Sequence, residues 1–151
     1  MIAPHEQLDR RFNDLRRFAS DATRPTRGWI KAIREALGMT TAQLAGRIGV
    51  KQPRIVELEK AEAAGAITVQ SLERAAQALG CRLVYALVPE RPLAETLTLR
   101  AQALADRHLA AVDQTMRLED QGVPDKTRLL QASRQMVSDL LLRPARLWDT
   151  P

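Results

Sequence analysis

Between Met39 and Glu59 the chain reads MTTAQLAGRIGVKQPRIVELE, and the apolar and glycine positions of this stretch describe two short helices crossing at a tight turn. Thr40 or Thr41 can cap the first helix by accepting from its free backbone N–H groups, and Leu44, Ala45 and Ile48 then share one face. Gly49 ends that helix, because glycine accepts the left-handed backbone that a sharp reversal requires. Val50 plugs the corner, and Ile55 and Leu58 return the second helix to the first, with Ala45 at the expected closest approach. Lys51, Gln52, Arg54 and Glu57 are left on the outward side of the second helix, long polar side chains of the kind that reach base edges in a major groove.

The flanks extend this pair into a small helical head. Gly28 to Leu37 carries Trp29, Ile30, Ile33 and Leu37 as an apolar stripe, and Gly38 stops it. Thr68 caps a further helix whose Leu72, Ala75, Ala76 and Leu79 face inward before Gly80. Helices are therefore predicted at 28–37, 41–48, 52–60 and 68–79, and residues 28–80 form the head. Ahead of it, residues 1–27 hold a basic amphipathic helix, Gln7 to Ala19, then a loop with Arg24 and Arg27; its arginines are either an arm along phosphates or simply a wet face. Residues 81–89 include Leu83, Val84, Tyr85, Ala86, Leu87 and Val88 and read as one short strand closed by Pro89. One strand cannot pair its own backbone. Its partner is either a copy in a second subunit, through Leu83, Tyr85 and Leu87, or it is no strand but an extended core segment. Residues 90–151 return to helical spacing, first from Leu93 to about Leu118 and then from near Asp125 to Arg143, with Gly122 and Pro124 at the turn of a hairpin. The fold class is thus all-α. Only 3% of residues are aromatic against 45% hydrophobic, so the core rests on Leu, Ala, Ile and Val, as packed helices allow.

Charge is uneven along the chain. Residues 1–60 hold 12 Lys/Arg against 7 Asp/Glu, and residues 61–151 hold 11 against 11, so the whole net charge of +5 lies in the segment that contains the helix pair. Such a distribution suits a DNA-facing half joined to a protein-facing half, or is the ordinary fluctuation of a solvated surface. The lone Cys81 excludes an internal disulfide, and His5 and His108 lie far apart with no ligand array, so no metal or other cofactor is expected. Ser20, Ser71, Ser133 and Ser138 have no histidine in a neighbouring segment, and no glycine-rich phosphate loop is present; a catalytic role is not expected. Without a signal-peptide pattern or an apolar run of membrane length, the expected place is the cytoplasm, at the nucleoid, with no membrane partner.

At Thr40, Gln43, Leu44, Ala45, Gly49, Val50, Ile55 and Glu59 the chain resembles the lambda-repressor-like, Cro/repressor-type helix-turn-helix family. It departs at Pro53, which costs little in a first helical turn, and at Val56, where a small polar residue is more usual. The head followed by the apolar stretch is similar to repressor-type antitoxins, in which that strand pairs across a homodimer. The layout of head, RLVYALVP and following helix also resembles the small helix-turn-helix proteins called mobile mystery protein A, which implies a regulator or antitoxin partnered with a Fic-domain enzyme. Thr115, Glu119 and Asp120 approach the short motif of Fic-inhibiting helices but miss its last position.

The expected function is a homodimeric, sequence-specific double-stranded DNA-binding repressor, acting on a near-palindromic operator. The segment from Gln52 to Lys60 enters the major groove, where Gln52 reads adenine, Arg54 reads guanine or a phosphate, and Lys51 holds the backbone. Glu57 either accepts from a cytosine amine or orients Arg54. Gln43 stands where the resembled family holds a phosphate, and Arg47 and Lys60 are further cationic or polar candidates. The alternative is an antitoxin or adaptor whose C-terminal helices mask a partner such as a Fic-domain protein.

Overall fold

The computed structural model describes residues 2–119 and 125–149. Among these the chain is all-helical and holds no strand. Its elements are α1 (Pro4–Ala19), α2 (Trp29–Ala36), α3 (Thr41–Ile48), α4 (Gln52–Ala63), α5 (Val69–Ala78), α6 (Leu93–Leu118), α7 (Lys126–Leu142) and a closing 3-10 turn (Pro144–Leu147). The expected turn at Gly122 and Pro124, and Asp120, lie outside the described residues. No described helix is long and apolar enough to cross a membrane.

The chain divides into two compact units, residues 18–87 and residues 1–17 with 88–151. In the first, α2 to α5 close around Ile30, Leu44, Ala45, Ile55, Leu58, Ala75 and Leu79, with Ile33, Ile48, Val50 and Leu72 packed on their rim. Leu44 and Ile55 are completely buried, one from each helix of the crossing pair, so each removes a full side chain from water, worth about 1.5–3 kcal/mol. The local signals explain the ends. Thr40, rather than Thr41, caps α3, accepting from the Gln43 N–H, while the Gln43 side chain accepts from the Thr40 N–H. Gly49 takes φ +82°, the left-handed turn that an L side chain resists, and α4 begins three residues on. Thr68 caps α5 through the Ser71 N–H.

Cys81 to Pro89 forms neither helix nor strand within the single chain. Leu83 is half-buried, whereas Val84, Tyr85 and Leu87 are 75%, 74% and 88% exposed. The segment is therefore not an extended core strip: its larger apolar side chains face outward.

In the second unit, α6 and α7 pack through small residues. Ala101, Ala105 and Ser133 are buried between them, and the Gln102 amide donates to Ser133 Oγ at 3.2 Å. Leu147 closes one end, fully buried, with its carbonyl accepting from Arg100 Nε at 3.0 Å while the Arg100 guanidinium lies over the Trp148 ring at 5.9 Å. The basic α1 belongs to this unit. Its Asp9 accepts from the backbone N–H groups of Leu93 and Ala94 at 2.7 and 3.0 Å, two donors that the start of α6 cannot pair itself, and Arg16 Nε donates to the Pro89 carbonyl at 3.1 Å. The Leu93 N–H foremost, then the Ala94 N–H and the charges of Arg16 and His5, holds the Asp9 carboxyl below its ordinary 3.8, against a smaller opposing cost of desolvation. A depressed carboxyl stabilises the fold above its unfolded pKa and loses that contribution as pH falls through the lower folded value. Asp9→Asn is accordingly expected to lower the melting temperature at neutral pH, and the gap to the parent chain should narrow in melts taken below pH 3.8.

Candidate nucleic-acid interface

The outward face of α4 is built by what its inward face holds. Ile55 and Leu58 bury on the core, and two carboxylates on the same side, Glu59 and Glu62, are buried with them. Glu59 takes the Arg34 guanidinium in a two-point bond, Nε to Oε1 at 2.6 Å and an Nη to Oε2 at 3.2 Å, and Arg34 also donates to the Met39 carbonyl at 2.9 Å. That fork holds the Arg34 cation above its ordinary pKa, chiefly through the Glu59 bond. Glu62 accepts from the backbone N–H groups of Trp29 and Ile30 at 2.8 and 2.9 Å and so closes the start of α2 from across the core. Gly28 carries φ +86°, a backbone that L side chains resist, and a Cβ there would stand 2.6 Å from the Glu62 carboxylate and displace it from the Trp29 and Ile30 N–H groups. Arg24 donates to the Glu62 and Ala63 carbonyls. These bonds fix α4 against α2 and the preceding loop.

Opposite this buried side, Lys51, Gln52, Arg54, Val56, Glu57 and Lys60 are all exposed. The Gln52 amide donates one N–H to Thr41 Oγ1 at 2.8 Å, which fixes the side chain and leaves its other N–H and its carbonyl free, the donor and acceptor that an adenine edge requires. Arg54 and Glu57 pair at 3.1 Å in the open, a contact that aims the guanidinium but contributes only about 0–1 kcal/mol. Of the two roles open to Glu57, the geometry within the chain supplies the orienting one. Gln43 spends its carbonyl on the cap and keeps its amide N–H groups, at the N-terminal end of α3 beside the start of α4. Arg47 stands apart: its Nε donates to the Ala78 carbonyl at 2.7 Å, against the end of α5. Lys51 makes no side-chain cap for α4.

Sequence reasoning placed the polar row but passed over what supports it. Thr41, by sequence a possible cap, positions Gln52 instead. Arg34 and Glu62 are charged residues on stripes otherwise committed to the core, the one signal in the sequence of a buried partner. Val56, noted as a departure from the resembled pattern, is 39% exposed on the polar face and so presents an apolar contact there. Charge gathers in this unit: residues 18–87 hold 10 Lys/Arg against 6 Asp/Glu, and two of those acids, Glu59 and Glu62, are buried.

Among the described residues no cluster of His, Cys, Asp and Glu stands in an arrangement that could hold a metal ion. Residues 30–85 match a family model described as Helix-turn-helix, a span running from α2 through α5 into the exposed apolar stretch. The match supports the likeness to Cro/repressor-type DNA-binding domains. No curated protein and no solved structure matches the chain significantly.

Proposed function

We propose that this protein is a sequence-specific double-stranded DNA-binding transcriptional regulator, a homodimeric repressor of its own operon with α4 as its recognition helix. One observation carries the reading: the exposed face of α4 is polar and cationic, and its opposite face is fixed by the Arg34–Glu59 fork and the Glu62 carboxylate. Rigid presentation matters because a base is told apart by donors and acceptors placed within a fraction of an ångström. Gln52 reads adenine, Arg54 reads guanine, and Val56 offers an apolar contact to a thymine methyl. Lys51, Gln43 and Lys60 hold the backbone, which fixes register without carrying sequence information. Dimerisation through Leu83, Tyr85 and Leu87 would set two copies of α4 about one helical turn apart, roughly 34 Å, and so select a near-palindrome.

Gln52→Ala is expected to relax preference at one base position per half-site and to weaken specific binding by about 1–3 kcal/mol, with the melting temperature unchanged. Titration of the parent and variant chains against a selected site and its single-base variants measures this. Equal affinities for all duplexes by the parent chain would count against the reading.

A second reading has its own support. Leu99, Val112, Leu118, Leu130 and Leu142 on α6 and α7 are exposed, Leu118 and Leu142 by 81% and 80%. These faces suit an antitoxin or adaptor that docks on a partner protein, and the likeness to mobile mystery protein A suggests a Fic-domain enzyme in that place. Co-expression and co-purification with the neighbouring gene product tests this; no complex, together with helices needed only for dimerisation, removes it.

A further inference from the structure

Beside the C-terminal half of α4, a shallow groove is lined by Thr26, Arg27, Lys31, Val56, Glu59 and Lys60, with Gln43 not among its residues. Three of these are cations. The one acid among them, Glu59, is buried and bonded to Arg34, so it does not neutralise the groove's outer surface. Arg27 and Lys60 are exposed and, among the described residues, take part in no ion pair; Lys31 meets only Glu35, at 4.0 Å, as an open i,i+4 contact.

We infer that Arg27, Lys31 and Lys60 together seat a phosphate of the DNA backbone, a second anchor at the C-terminal end of the reading helix; this rests on α4 being that helix. The geometry gives the reason. Gln52, Val56 and Lys60 follow one another at four-residue spacing and form a single strip of α4, so the groove adjoins the strip that faces the bases. A helix lying in a major groove about 12 Å wide has a phosphate backbone on each flank. Gln43 and Lys51 serve the flank at the start of α4. Arg27 and Lys31 come from a different part of the chain, the loop before α2 and its first turn, and reach the other. The Glu62 carboxylate and the Arg24 bonds that fix that loop to α4 therefore place the loop's cation as well as closing α2. Two anchors, one near each end, fix both the position and the tilt of α4 in the groove, which a single anchor leaves free to pivot.

The test uses the full chain and a labelled duplex carrying a selected site, with an unrelated duplex of equal length, titrated across 50–200 mM KCl. The triple variant Arg27→Gln, Lys31→Gln, Lys60→Gln is compared with a charge-matched triple, Arg82→Gln, Arg107→Gln, Arg128→Gln, and melting curves accompany both. The groove variant is expected to make the slope of log affinity against log salt shallower by about one or more. It should weaken binding by about 10-fold or more at 150 mM salt on both duplexes alike, with the ratio between them kept and melting unchanged. The charge-matched variant should shift the slope by less than half as much. Equal shifts in the two variants, or no shift in the groove variant while the parent chain still discriminates the duplexes, overturns this inference alone. A parent chain that binds both duplexes equally overturns the reading of α4 on which it stands.

Discussion

Glu59→Ala is expected to destabilise the head by about 3–5 kcal/mol, a large share of the total stability of a domain this size, and to abolish operator binding wherever the head has melted. The cause is the residue left behind. Arg34 is 8% exposed, and its guanidinium has Glu59 as its two-point partner, with the Met39 carbonyl taking a third bond and the exposed Glu35 3.8 Å away. Removing Glu59 strands a buried cation, whereas replacing both members by apolar residues of similar size removes the charge and its desolvation together. Arg34→Met with Glu59→Leu should therefore recover most of what Glu59→Ala loses. Urea denaturation of Arg34→Met, Glu59→Leu and the two combined measures the coupling. An additive double variant would show that the fork does not hold α2 to α4.

Leu87→Asp is expected to leave the folded monomer within about 0.5 kcal/mol of the parent, because the side chain is 88% exposed and supports no core. Its expected effect is on assembly. A charge in the centre of two paired apolar stretches is desolvated without a partner, so the dimer should dissociate and operator affinity fall by about 100-fold or more as two linked half-site contacts become one. Sedimentation and operator titration read the two effects separately. A variant that stays dimeric at full affinity would move the interface from the stretch at Leu83–Leu87 to the α6–α7 hairpin.

The helices were legible because their punctuation is local. Thr40, Gly49 and Thr68 act within three or four residues, so α3 spans the expected 41–48 and α5, at 69–78, lies within the expected 68–79. The distant partners that close helix starts were not legible, even where the start itself was: Glu62 closes α2, and Asp9, 84 residues earlier in the chain, closes α6. The same limit hid the allegiance of α1. Its amphipathic spacing predicts a basic helix, but only the bonds that Asp9 accepts from the start of α6 and that Arg16 donates to the Pro89 carbonyl show that it builds with the C-terminal helices. The polar row on α4 could be read from period alone, since Ile55 and Leu58 fix which side is buried. What orients the row could not, because Thr41 meets Gln52 across a turn of the chain.

Footprinting on the DNA upstream of the protein's own coding sequence separates a base-reading α4 from a merely cationic surface. A base-reading α4 in a dimer is expected to protect one near-palindrome, its half-site centres about 10 base pairs apart, with Gln52→Ala weakening protection at matched positions in both halves. Uniform, weak protection along the whole fragment, unchanged in that variant, would contradict it.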